Sequence, residues 1–205
     1  YIENSKEKTD IVVFLDGDYS DYPEELKKIV APIIENNIDF VLGTRTQLVT
    51  EKGAMQPQQI FGNWLATTLM RLFFNSKFTD LGPFRAIKYP VLKSLQMEDK
   101  TYGWTVEMQL KILKKQYNYI EVPVNYRNRI GVSKVSGTLK GSIFAGIKIL
   151  TWIFHRDPLA DHFLDGLLLD LDRLFSLDGL QLRHALALDL LKHPLSLHPL
   201  QFDAI

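Results

Sequence analysis

The chain has 205 residues, 46% hydrophobic and 23% charged, with 24 basic and 24 acidic side chains in balance. That length buries a sizeable core, and zero net charge leaves no electrostatic footprint for nucleic acid. The absence of cysteine excludes disulfides, thiolate metal sites and a cysteine nucleophile, and suits a reducing compartment. The opening YIENSKEKTD is polar and does not read as a secretory signal. Residues 11–15 form an apolar run that reads as a buried strand, ending in Asp16-Gly17-Asp18. Residues 23–35 read as a helix, with Asp21 as N-cap and Glu24 completing a capping box. A second short strand, 40–42, ends in Gly43-Thr44-Arg45, and 60–74 is a long helix with apolar residues at helical spacing. A short strand over 84–87, a helix over 105–115 and a strand over 120–124 follow. Buried strands alternating with helices predict an α/β fold with a mostly parallel sheet flanked by helices.

Beyond His155 the composition changes. Residues 1–155 carry 20 basic and 16 acidic side chains, whereas 156–205 carry 4 and 8. The five histidines, His155, His162, His184, His193 and His198, all lie at or past this point, and about a third of the tail is Leu. Leu164, Leu167, Leu168, Leu171 and Leu174 follow helical spacing, and 182–191 reads as a second helix. The expectation is therefore a domain over 1–155 and a helical appendage over 156–205. No apolar run reaches the roughly 18–20 residues of a spanning helix; 143–154 is short and carries Lys148.

The chemistry concentrates after the strands. A buried strand that delivers Asp16 and Asp18 to its carboxyl end, with Gly17 between them, suits a hard cation such as Mg²⁺. An EF-hand fails, because its sixth position is Asp21 rather than Gly and its twelfth is Lys27 rather than Glu. A phosphatase with Asp16 as nucleophile and Asp18 as acid, a metal clamp on a nucleotide diphosphate, and a plain turn remain open. Arg45 is either a guanidinium fork for phosphate or a solvated strand-end cation. Asp80, in TDLGPFR, reads as a base, a sugar-orienting group or a turn cap, with Arg85 as its ion-pair partner. Trp104 and Glu107 lie about one turn apart at a helix start, suiting sugar stacking and hydroxyl recognition or, equally, core packing and capping. Arg127, Arg129, Ser133 and Lys134 occupy a basic, Gly-containing segment that reads as an anion-binding loop or a solvated turn.

In order, FLDGDYSDYPEEL, VLGTR, FGNWLATTLMRLFF, TDLGPFRAI, TYGWTVEMQLKIL, IEVPVNYRNRIGVSKVSGT and GSIFAGIKIL resemble family 2 glycosyltransferases of the GT-A fold. The resemblance is to the branch of dolichyl- and polyprenyl-phosphate sugar transferases, and it covers residues 10–154. It implies a partial GT-A, Rossmann-like domain. The implied reaction is inverting transfer of a sugar from a nucleotide-sugar donor, UDP- or GDP-linked, to a polyprenyl-phosphate or cell-envelope glycan acceptor. Asp16 and Asp18 are implied metal ligands for Mg²⁺ or Mn²⁺. Gly17, Arg45, Arg85, Trp104, Arg127, Arg129, Ser133 and Lys134 are implied to bind the donor and its phosphates. Asp80 and Glu107 are the implied catalytic or sugar-orienting acids. Helix 60–74 and segment 143–154 are expected to rest on a membrane, with the chain in the cytoplasm or at the membrane's cytoplasmic face. Such enzymes open with a strand and an acidic loop for the nucleotide base, so the expectation here is a domain lacking that part. The contrasting expectations are a non-catalytic membrane-surface or protein-interaction module, and the Asp-dependent phosphatase.

Overall fold

The computed structural model describes residues 2, 8–46, 51–100, 103–131, 146, 149, 150, 152 and 153. All lie in the first of two units into which the chain divides, 1–155 and 156–205. The elements run β1 (Ile11–Phe14), α1 (Leu26–Asn36), β2 (Phe40–Thr44), α2 (Pro57–Phe74), β3 (Arg85–Lys88), α3 (Tyr89–Leu95), α4 (Trp104–Lys114) and β4 (Tyr119–Pro123). The expected appendage and the greater part of segment 143–154 fall outside the described residues.

The four strands form one sheet in the order β1-β3-β2-β4. β3 pairs antiparallel with both β1 and β2, and β4 lies parallel to β2. Three strands therefore share one direction and β3 runs against them, so the sheet is mixed, with one parallel neighbour pair among the described residues. Strand periodicity carries no direction, which is why the sequence pattern predicted a more uniformly parallel sheet.

Side-chain alternation assigns the two faces. Val13, Ala86 and Val41 share one cross-strand row and pack with Ile29 and Ile33 of α1, together with Phe84 and Val124. Phe14, Arg85 and Leu42 form the adjacent row, which points the other way. On that side Phe14 meets Trp104 of α4 at 5.3 Å between ring centroids, and Phe40 meets Phe78 edge-on at 6.0 Å.

Helix starts differ in detail from expectation. A short 3-10 turn, Pro23–Glu25, precedes α1; Tyr22 caps that turn, without a side-chain bond, and Pro23 stands just inside it. Asp21 is not the N-cap. The capping box lies instead at α2, where the Gln56 and Gln59 side chains exchange bonds with each other's backbone. α3 is a helix the sequence reading did not assign.

Candidate functional site

β1 delivers its carboxyl end to a loop whose geometry is set from within. The Asp16 backbone N–H donates to Asp21 Oδ2 at 3.0 Å, and the Ser20 N–H and hydroxyl both donate to Asp18 Oδ1, at 3.0 and 2.5 Å. Tyr19 adopts a left-handed φ of 73°, uncommon for a bulky residue and a form of stored strain. A Cβ placed on Gly17 meets nothing within 4 Å, so its main chain is open to an approaching group.

The segment after β4 straps this loop down. Arg127 N–H donates to Ser20 O at 3.1 Å and Ile130 N–H to Asp18 O at 2.9 Å. The Arg127 guanidinium lies over the Tyr19 and Tyr22 rings, 3.3 and 4.2 Å from their centroids, and donates to the carbonyls of Tyr19 and Asp21. Arg129 reaches Asp18 Oδ2 at 3.1 Å. Arg127, expected to hold phosphate, is thus engaged in fastening the loop, while Arg129 faces the acidic pair. Ser133 and Lys134 lie outside the described residues.

The three carboxylates differ in electrostatics. Asp16 is raised above the ordinary carboxylate value by crowding of protein around it and then by the Asp18 charge, against the pull of Arg129, Arg45 and Arg85. Burial works to raise Asp18, but the Ser20 bonds and the Arg129 charge outweigh it and leave Asp18 lowered. Burial, only partly offset by the Asp16 N–H bond, lifts Asp21 to about 6. Among the described residues, Asp21 Oδ1 is buried without a hydrogen-bond partner.

Behind the loop, the end of β2 and the turn before β3 form a second charged unit. Arg45 grips Asp80 through Nε–Oδ2 at 2.8 Å and Nη2–Oδ1 at 2.7 Å, and its backbone N–H adds a third bond at 2.8 Å. Its guanidinium also lies over the Tyr126 ring at 4.9 Å. Asp80 is fully buried; burial acts to raise it, but the Arg45 charge and bonds prevail and hold it low. Gly82 makes this approach possible, because a Cβ there would sit 2.6 Å from Gly43 O.

Residues 4–96 match the family model described as Glycosyl transferase family 2. That match and the relatives below support a family 2 glycosyltransferase domain related to polyprenyl-phosphate sugar transferases. It is 25% identical over 148 residues to an undecaprenyl-phosphate mannosyltransferase of Micrococcus luteus, an alignment covering 70% of this chain and 59% of the relative. It is 30% identical over 143 residues to uncharacterized glycosyltransferases of Mycobacterium bovis and Mycobacterium tuberculosis, covering 67% of this chain and 62% of each relative. The chain thus spans about six-tenths of the length of the curated relatives it matches. The mixed sheet flanked by helices agrees with a partial GT-A fold.

The residues singled out from the sequence fall into separate places. Asp16, Gly17, Asp18 and Arg129 share the loop site. Asp80 pairs with Arg45 rather than Arg85. Arg85 is wholly buried on the α4 side and donates to the carbonyls of Gly82, Leu81 and Thr105. Burial pushes it down to about 9, with Asp80 pulling the other way, so it remains a cation near neutral pH. It acts on Asp16 through its charge rather than by contact. Trp104 packs on Phe14, lies under Arg85 at 4.9 Å, and lines an apolar cleft of about 460 Å³ together with Met97 and Met108. Glu107 is fully buried; it accepts the N–H groups of Glu98 and Asp99 at 2.7 and 2.8 Å and pairs with Lys111 at 2.7 Å. That geometry makes Glu107 a clamp on the loop before α4.

Three supporting residues escaped the sequence reading. Glu121 accepts the N–H groups of Thr79 and Asp80 and the Thr79 hydroxyl. Asn63 Oδ1 accepts the Leu81 N–H, and Gln109 donates to Asp80 O at 2.9 Å. Glu121 had one signal, a single carboxylate inside the apolar IEVPV.

Among the described residues no group of three or more His, Cys, Asp or Glu forms a ready metal cage. A pair of oxygen donors fits Mg²⁺ or Mn²⁺ nonetheless, because such ions take one or two carboxylates and complete their shell with phosphate and water. Two features agree with that fit. The Asp18 charge raises Asp16, a repulsion a cation relieves, and Asp18 Oδ2 already faces the positive Arg129.

Proposed function

We propose that this glycosyltransferase moves a sugar, with inversion at the anomeric carbon, from a UDP- or GDP-sugar to a polyprenyl-phosphate or cell-envelope glycan acceptor. The observation that carries this reading is the Asp16–Asp18 pair at the carboxyl end of β1, faced by Arg129. Asp16 and Asp18 hold Mg²⁺ or Mn²⁺, which neutralises charge on the departing nucleoside diphosphate. Arg129 and the basic segment containing Ser133 and Lys134 contact the diphosphate. Arg45, set by Asp80, presents a fixed cation toward the same crevice; Asp80 serves as the positioning carboxylate and not as a free base. A phosphate acceptor is already ionised near neutral pH, so positioning and electrostatics carry the rate. The Micrococcus luteus relative, named for an undecaprenyl-phosphate acceptor, supports the choice of a lipid phosphate.

The exposed side of α2 supports a place at the membrane. Ile60, Phe61, Trp64 and Leu72 are exposed, and Arg71 is the single charged residue of the helix. Such a face suits the headgroup boundary, on the cytoplasmic side in this proposal. No helix among the described residues is long and apolar enough to cross a bilayer.

Calorimetry with UDP-glucose and GDP-mannose in Mn²⁺ tests the reading. One donor is expected to bind, and Asp16→Ala to weaken it at least tenfold. Binding of neither donor refutes it and favours the non-catalytic module. Turnover of p-nitrophenyl phosphate that Asp16→Asn abolishes favours the phosphatase.

A further inference from the structure

We propose that Arg129 is a stand-in cation: its guanidinium holds Asp18 while no metal is bound, and a divalent ion entering the loop displaces it toward the incoming diphosphate. The inference rests on the reading of Asp16 and Asp18 as the metal pair, and it names how that pair is occupied beforehand.

Asp18 has little capacity to spare. Its Oδ1 accepts two bonds from Ser20, the N–H at 3.0 Å and the hydroxyl at 2.5 Å. Its Oδ2 faces Arg129 at 3.1 Å. A hard cation that takes Asp18 by Oδ2 therefore meets a guanidinium already there, and two positive groups compete for one oxygen. An ion bound only to the form from which Arg129 has withdrawn carries the cost of that withdrawal in its apparent affinity.

The backbone around Arg129 is built for a side-chain swing without loop movement. Arg127 N–H is fixed to Ser20 O and Ile130 N–H to Asp18 O. The Arg127 guanidinium is held between two tyrosine rings. Arg129 stands between these anchors with its side chain partly exposed, so the proposed swing needs no movement of its anchored neighbours. Once released it remains beside the metal, where the negative diphosphate arrives, and a planar fork of donors suits phosphate oxygens. One cation thus serves the site twice, first on a carboxylate and then on a phosphate.

This arrangement predicts opposite signs for one substitution. In the full 205-residue chain at low salt, Arg129→Ala is expected to bind Mn²⁺ alone about two- to fivefold tighter than wild type, the scale of a part-exposed ion pair. That gain shrinks at high salt. With Mn²⁺ saturating, the same variant is expected to bind UDP or GDP about tenfold more weakly, for loss of one charge-assisted contact. Arg129→Lys, which keeps the charge, stays near wild type in Mn²⁺ affinity. Mn²⁺ affinity is read by electron paramagnetic resonance of the free ion, and circular dichroism verifies that each variant is folded.

Equal or weaker Mn²⁺ binding in Arg129→Ala overturns the stand-in role. Tighter Mn²⁺ with undiminished nucleotide binding overturns the transfer to diphosphate. If Mn²⁺ binds wild type and Arg129→Ala equally and Asp16→Asn abolishes it, the metal pair stands and the stand-in falls. If Mn²⁺ binds none of these proteins, the underlying reading falls as well.

Discussion

Asp21 offers the sharpest test of the loop's electrostatics. The residue is 2% exposed, Oδ1 has no hydrogen-bond partner among the described residues, and burial lifts its carboxyl from 3.8 to about 6. An acid raised by that amount favours the neutral native form by about 3 kcal/mol, at roughly 1.4 kcal/mol per pKa unit. Because the native value lies above the unfolded one, this contribution is complete below pH 3.8 and disappears as pH climbs through about 6. Asp21→Asn keeps an oxygen to accept the Asp16 N–H but cannot ionise. Its stability relative to wild type should therefore rise by about 3 kcal/mol between about pH 4 and pH 8, most of it across the span from 3.8 to about 6. In a chain of this size the midpoint gap should widen by about 6–12 °C over the same range. Urea titrations at several pH values in chelator measure it, since an added cation would hold Asp16 and Asp18 ionised and alter the field at Asp21. A stability difference that stays constant with pH, or that widens toward acid, would refute the reasoning.

Other substitutions separate structural from chemical roles. Asp80→Asn leaves Arg45 without its buried counter-charge and should cost about 3–5 kcal/mol in urea unfolding; adding Arg45→Met should recover part of the loss, as a double-mutant cycle measures. Glu107→Gln removes the charge that Lys111 meets and weakens the clamp on Glu98 and Asp99, costing about 1–3 kcal/mol. Donor affinity should be unchanged, and a tenfold loss would return Glu107 to the sugar site. Gly82→Ala forces a methyl against Gly43 O, with an expected penalty of about 1–3 kcal/mol in thermal unfolding.

The sequence showed where the chemistry sits better than how it is wired. The apolar runs IVVFL and FVL announced β1 and β2, and the carboxylates following β1 were legible because charge at a strand's end has few purposes. Pairing was not legible. Asp80 lies five residues from Arg85 and 35 from Arg45, so proximity in sequence favoured the wrong partner. The sheet decides it, by placing Arg85 in the row with Phe14 and Leu42, where its donors meet backbone carbonyls, and by leaving Arg45 at the end of β2 beside the turn. Asp21 misled for a related reason. Its spacing from Glu24 fits a capping box, but Pro23 starts the turn without a side-chain cap, and the Asp16 N–H claims the carboxylate instead.

The same logic explains the basic segment after β4. Composition leaves 127–134, with its three cations, ambiguous between a solvated turn and an anion loop. Only the sheet order, which sets β4 beside β2, brings residues 127–130 back over the Asp16–Asp18 loop. There Arg127 and Arg129, two residues apart, take different tasks because of what each meets. Arg127 finds two aromatic faces and two carbonyls and becomes a fastening. Arg129 finds a carboxylate oxygen, Asp18 Oδ2, and becomes a cation whose partner a metal would compete for. Identical side chains acquire distinct roles from the acceptors the fold supplies, and that distinction makes the opposite-sign test at Arg129 informative where a substitution at Arg127 would only loosen the loop.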